Sequence, residues 1–353
     1  MNRSPGLILL FGSGETMPAS GPTYELAARR LDRAPEIAIL ETPAGFEPNS
    51  ADVAGNVGRY LLRRLQNYQP KVTLVPARRR YTPQSPDDPQ ILAPLQTANW
   101  LFLGPGSPTY AVRQLQDSLA WQMVQAGHRS GAALVLASAA TLAVSRFTLP
   151  VYEIYKVGQD LHWQFGLDLL GAYGLPLVII PHWNNQDGGE ALDTSRCFMG
   201  RARFAQLLAL LPAGNTVLGL DEHTALVIDL AAGTGRVMGR GRVVLLRGTT
   251  RQEFAAGQTF PLTLLGPFAL PPDPAGGIPA GVWQSMINAQ QAAQAATPPQ
   301  PPDSVLALMA DRSTARQQKE WATADRLRDQ IATLGWQVLD TPDGPQLLPL
   351  EES

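Results

Sequence analysis

Residues 132–141 read AALVLASAAT. An apolar run from Ala132 to Leu136 breaks into small side chains at Ala137, Ser138, Ala139 and Ala140. A short, continuous apolar run is the signature of a strand buried on both faces. The small residues that end it mark a sharp turn into a helix. Ser138 therefore stands on a strand-to-helix elbow, where a hydroxyl is exposed and the amide of the next residue, Ala139, can stabilise an oxyanion.

The same texture repeats to either side. GLILLFG (6–12), EIAILETPA (36–44), KVTLVPA (71–77), WLFLGPG (100–106), PLVIIPHW (176–183) and TVLGLDE (216–222) read as strands. Residues 23–31, the stretch leading to Tyr68 and residues 109–127 carry helical period. ALVIDL, GRVMGRG and RVVLLRG, within 225–248, read as short antiparallel strands with glycine turns. Apolar strands separated by helices predict an α/β fold with a mostly parallel, doubly wound sheet covered on both faces. Ligands in such folds sit beyond the carboxyl ends of the strands. GSGE (12–15), GPGSPT (104–109), ASAAT (137–141) and PHWNN (181–185) all fall at those ends.

A serine hydroxyl needs a base to become a nucleophile, and the base needs an acceptor that fixes its tautomer. His182 closes the strand after the elbow and is expected on the same rim. Glu153, a carboxylate in the otherwise apolar LPVYEIYKVG (149–158), lies between serine and histidine in the chain and is the expected acceptor. Gly106 is expected to supply a second oxyanion amide beside that of Ala139, since glycine permits close backbone approach. Taken singly these residues are ordinary: serines are common in small-residue turns, and a histidine after a strand is usually structural. Their convergence on one rim is what points to chemistry.

Other features read more plainly. FGSGE (11–15) lacks the spacing of either phosphate-binding glycine motif. Arg78, Arg79 and Arg80 form a short basic run of the kind that is usually a solvated loop. Cys197 lies in DTSRCFMGRARFAQLLALL (193–211), which reads as a helix, and a core or half-buried helical thiol is the expectation. Trp163 and Trp183 read as packing residues.

Composition narrows the classes. A formal charge of -2 gives no global basic field for nucleic acid or an anionic membrane. The single cysteine cannot form an intramolecular disulfide, which fits a cytoplasmic setting. The run Leu7 to Phe11 is shorter than a signal peptide needs, and no run approaches the roughly 20 residues that span a bilayer. The four histidines are scattered without CxxC or HExxH spacing, so neither metal nor cofactor is expected.

After residue 265 the texture changes. Residues 266–303 are rich in Pro, Gly, Gln and Ala and read as a linker, with residues 283–296 helical within it and TPPQPPD (297–303) stiff. Residues 304–353 resume as a small module: a helical stretch with charges three and four apart, then a hairpin around Pro342, Asp343 and Gly344.

The chain from GLILLFGSGE through VLGLDEHTALVIDLAAGTGRVMGRGRVVLLR resembles the cyanophycinase and dipeptidase E group of serine peptidases. The carriers are the glycine-rich end of the first strand, GPGSPTYAVRQL, the elbow LASAAT (136–141), PHWNN with Arg196, Arg201 and Arg203 after it, and GLDEHTAL (219–226). Leu136, Ala140 and Thr141 stand where that group's elbow carries Gly, Gly and Ala, so crowding is expected at Leu136. The resemblance implies residues 1–265 folded like class I glutamine amidotransferases, a flavodoxin-like arrangement. It implies Ser138 as nucleophile, His182 as base, Glu153 as acid, and Gly106 and Ala139 as oxyanion hole. Gly104, Ser107, Trp183, Asn184, Arg196 and Glu222 would bind substrate or line the site. The substrates implied are small peptides with acidic residues or aspartyl isopeptides. The competing expectation is a non-catalytic relative that uses the rim to bind a ligand or partner. ARQQKEWATADRLRDQIATLGWQVLDTPDGPQ is similar to the C-terminal end of cysteinyl-tRNA synthetases, without any of their catalytic parts. From Asp303 on, five basic residues face nine acidic ones, which disfavours autonomous nucleic-acid binding and favours docking, within the chain or on a partner. Assembly as a homodimer stays open.

Overall fold

The computed structural model describes residues 4–295, 301–341 and 344–350, which form two compact units, Met1–Gln290 and Gln291–Ser353. In the larger unit the strands are β1 (Ile8–Phe11), β2 (Glu36–Leu40), β3 (Lys71–Val75), β4 (Trp100–Leu103), β5 (Ala133–Ala137), a short ribbon of β6 (Phe147–Thr148) and β7 (Gln164–Phe165), β8 (Leu177–Ile180), β9 (Thr216–Leu220), β10 (Thr224–Asp229), β11 (Thr234–Gly239), β12 (Arg242–Arg247), β13 (Thr250–Ala255) and β14 (Thr259–Pro261). The helices between them are α1 (Gly21–Ala28), α2 (Ser50–Arg64), α3 (Pro94–Thr97), α4 (Pro108–Leu115), α5 (Leu119–Arg129), α6 (Ala139–Ala143), α7 (Val151–Tyr155) and α8 (Gly200–Leu210).

The main sheet has the order β14-β11-β10-β1-β5-β4-β2-β3, parallel from β1 to β3 and antiparallel from β1 through β10 and β11 to β14. Side-chain alternation divides its interior in two. Ile8, Leu10, Leu134 and Leu136 face one core, while Leu9, Phe11, Val135 and Ala137 face the other. The α/β class, with its large and mostly parallel sheet, is the one the sequence predicts. Periodicity does not announce a second sheet, β13-β12-β9-β8, whose Ile179, Leu218 and Leu245 share the core of Leu134 and Leu136.

Two helices begin on serine caps. Ser107 Oγ accepts from the Tyr110 amide at 3.2 Å ahead of α4, with Pro108 in the first helical position, and Ser118 Oγ accepts from the Trp121 amide at 3.1 Å ahead of α5. Each cap satisfies an amide the helix cannot pair itself.

The linker expected over 266–303 is instead part of the larger unit as far as Gln290. Ile278 and Met286 are buried in its core, with Val282 and Trp283 against it, and the Arg129 guanidinium donates to the carbonyls of Pro274 and Gly276. A few large apolar anchors outweigh the Pro/Gly texture. The helix α9 spans Ala280–Ala295, and residues 297–300 of the stiff segment lie outside the described residues.

The smaller unit holds α10 (Asp303–Gln317), α11 (Trp321–Thr333), β15 (Trp336–Thr341) and β16 (Gly344–Pro349). The helical stretch is two helices, broken at Lys319 with φ 62°. Val305, Ile331 and Trp336 form its core. Arg312, almost wholly buried, donates to both carboxylate oxygens of Asp340 at 3.1 and 2.9 Å, and Arg316 joins at 2.7 Å. The strands pair as the expected hairpin; Pro342 and Asp343 lie outside the described residues. Among the described residues, no helix is long and apolar enough to cross a membrane.

Candidate active site

Ser138 follows β5 directly and precedes α6, with φ 52° and ψ -109°. Such a conformation costs a non-glycine residue about 1–3 kcal/mol and persists only where the surroundings impose it. Here Thr141 Oγ1 donates to the carbonyls of Phe11 and Leu136, tying the elbow to β1 and β5. Leu136 packs into the core beside Leu134 and is fully buried, so it does not crowd the cavity in front of Ser138.

His182 follows β8 with φ 51°, and its amide donates to the Gly12 carbonyl at 3.0 Å. Its Nε2 lies 3.1 Å from Ser138 Oγ. Its Nδ1 lies 2.9 Å from Glu222 Oε1. A carboxylate only accepts, so Nδ1 carries the proton and Nε2 is left to accept from the serine. Glu222 is held in turn: Asn185 Nδ2 donates to the same Oε1 at 3.0 Å, and the Glu222 amide donates to Asn184 Oδ1 at 2.7 Å. The hydrogen bond from His182, helped by that from Asn185, keeps the Glu222 carboxyl below the usual carboxylate range against the opposing effect of burial.

The register explains how residues so far apart in sequence meet. Phe11 of β1 pairs with Ala137 on one side and with Ala225 on the other. The ends of β5 and the start of β10 are therefore level. Glu222 occupies the turn by which the chain leaves β9 in one sheet to enter β10 in the other.

Glu153, the acid expected from chain order, does not reach His182. Its Oε1 accepts from Thr109 Oγ1 at 2.5 Å, and among the described residues its buried Oε2 has no hydrogen bond. Glu222, expected only to support or line the site, takes that place. The missed signal was GLDE itself, since a carboxylate just past a fully buried strand is as well placed as a histidine past another.

Gly106 has φ 144°, and a Cβ there would lie 1.9 Å from the Pro43 carbonyl oxygen, so no side chain fits. Gly106, Ala139, Ser138 and His182 all line one cavity of about 360 Å³. Among the described residues, neither the Gly106 nor the Ala139 amide makes a hydrogen bond.

The remaining expected site residues fall outside this cavity. Gly104 lines a separate small crevice with Glu41 and Pro105. Ser107 is the α4 cap. Trp183 is buried edge-on against Phe204, and its ring occupies the space a Cβ on Gly219 would need. Asn184 is spent on the Glu222 amide. Arg196 lies over the Trp183 ring at 3.9 Å and donates to the Trp183 carbonyl. Cys197, expected on a helix, instead sits in a left-handed run: Arg196, Cys197 and Phe198 have φ of 60°, 56° and 68°. That run brings the Cys197 amide to the His182 carbonyl at 3.1 Å and the Phe198 ring centroid to 6.0 Å from that of His182. Among the described residues, no three His, Cys, Asp or Glu side chains are grouped to hold a metal ion.

Two kinds of likeness to known proteins are found. The fold is similar to that of a peptidase from an acI-B1 Actinobacterium, with a TM-score of 0.59 and 22% identity over 74% of this chain and 98% of that one. A putative peptidase E protein from Listeria monocytogenes gives a TM-score of 0.44 at 12% identity. Residues 299–346 match the family described as the cysteinyl-tRNA ligase anticodon binding domain. The chain is also 48% identical over 46 residues to cysteine–tRNA ligase 1 of Burkholderia lata and 42% identical over 52 residues to the cysteine–tRNA ligase of Methanosarcina acetivorans. These matches span 13% and 15% of this chain and only 10% and 11% of the ligases.

Proposed function

We propose that the larger unit is a serine hydrolase that cleaves a peptide or isopeptide amide through Ser138, His182 and Glu222. The observation that carries this reading is the continuous relay from Ser138 Oγ through the His182 ring to Glu222, opening on a cavity with two unengaged amides. Ser138 Oγ attacks the scissile carbonyl carbon as its proton passes to His182 Nε2. The Gly106 and Ala139 amides donate to the oxyanion. Collapse breaks the C–N bond, and His182 returns the proton to the leaving amine. Water then loses a proton to His182 and attacks the acyl ester. The acid is released and Ser138 regains its proton. Ionised Glu222 stabilises the imidazolium at each transfer. A non-catalytic binder has no need of a strained serine aligned on a carboxylate-bound histidine. Covalent labelling by a fluorophosphonate, read on wild type and Ser138→Ala, tests the reading.

The smaller unit supports a separate proposal, that of a docking element. Its matching family is described as anticodon-binding, yet two of its five basic residues, Arg312 and Arg316, are committed to Asp340. Binding of the full chain to tRNA with a steep salt dependence would favour the RNA reading instead.

A further inference from the structure

The buried His128, the Glu153–Thr109 contact and the walls of the Ser138 cavity take no part in the reaction as described. Leu142, Val151, Tyr152, Tyr155 and Phe198 surround the space in front of Ser138. The charged lining groups are Lys156 and Asp187, opposite in sign and both exposed. Among the described residues, no arginine lines the cavity. The three arginines after His182 are engaged with the protein. Arg196 stacks on Trp183, Arg201 pairs with Asp193, and Arg203 donates to the carbonyls of Phe198 and Met199 and lies over the Tyr155 ring at 5.8 Å.

A substrate carboxylate seated against this wall would give up hydration without a buried cation to receive it, since Lys156 is exposed and balanced by Asp187. An apolar side chain has no such hydration to lose and gains from burial.

Resting on the serine-hydrolase reading, we infer that the enzyme selects acyl groups with a large apolar or aromatic side chain rather than an acidic one. The apolar wall is continuous in sequence with the two candidate oxyanion amides: Pro108 follows Gly106 by two residues and Leu142 follows Ala139 by three. The side chain that enters is assigned to the acyl component, which the reagents below test directly. The volume of about 360 Å³ lies within the range of small-molecule sites, roughly 300–1,000 Å³.

The test uses diphenyl aminoalkylphosphonates carrying Phe, Leu, Ala or Asp side chains on the full-length protein, with the Ser138 adduct followed by mass spectrometry. Phe and Leu reagents should react about 10- to 100-fold faster than Ala or Asp. An equal or faster Asp reagent overturns the inference, as does labelling by a fluorophosphonate with no reaction of any phosphonate of the set; both leave the hydrolase reading intact. Absence of fluorophosphonate labelling removes that reading and the inference together. Tyr152→Arg, at an exposed wall position, should shift the ranking towards Asp. An unchanged ranking in that variant would place the acyl side chain outside this cavity.

Discussion

Glu222 Oε1 lies 2.9 Å from His182 Nδ1, and this contact fixes which nitrogen of the imidazole faces Ser138. Glutamine at 222 can offer an amide donor to Nδ1 and so select the wrong tautomer. Glu222→Gln is expected to slow fluorophosphonate labelling by about 10²–10⁴-fold, on the scale of comparable triad substitutions. Glu153→Gln leaves the relay untouched and should slow it by less than about 10-fold. The ratio of labelling rate constants for the two variants checks the assignment, and a reversed order would return the acid's role to Glu153.

Cys197 lines the cavity but is no competing nucleophile. It is buried, and its thiol is pushed up to about 12. The thiolate is the reactive form. Iodoacetamide at neutral pH should therefore leave the native protein unmodified over hours and alkylate it fully in denaturant. Rapid native alkylation would contradict the burial described here.

His128 is fully buried, and burial, aided by the neighbouring Arg129 charge, lowers it to about 3 from the usual 6.5. The folded state keeps the ring neutral while the unfolded chain takes up a proton below about pH 6.5. Stability is thus lost as pH falls from about 6.5 towards 3. His128→Leu should reduce the difference in unfolding free energy between pH 7 and pH 5 by about 2 kcal/mol, measured by chemical denaturation.

In the smaller unit, Asp340 neutralises the buried Arg312. Removing the carboxylate leaves an unpaired buried guanidinium. Because Asp340 itself is half-exposed, Asp340→Ala should cost about 2 kcal/mol, below the range for wholly buried pairs. Hydrogen exchange across residues 303–341 should accelerate by roughly 30-fold, with no change in β1 or β5.

The elbow and its base were legible because each ends a continuous apolar strand, and such strands have a common carboxyl edge. Glu153 misled because chain order says nothing about register: Glu222 comes after His182 in sequence, yet the pairing of Phe11 with both Ala137 and Ala225 puts it on the rim. The switch of sheets between β9 and β10 has no periodic signature, since both strands read as buried. Likewise, the Pro/Gly texture of 266–281 hid the anchoring of Ile278, because a lone apolar residue in a loop carries no period.

The central claim is that His182 and Glu222 activate Ser138. It is tested most directly by incubating wild type, Ser138→Ala and His182→Ala with a fluorophosphonate and mapping the adduct by peptide mass spectrometry. The expected result is a stoichiometric adduct on Ser138 in wild type, none in Ser138→Ala, and a rate lowered at least 10²-fold in His182→Ala, on the scale of triad substitutions. A folded wild-type protein that acquires no adduct, or acquires it on another residue, would contradict it.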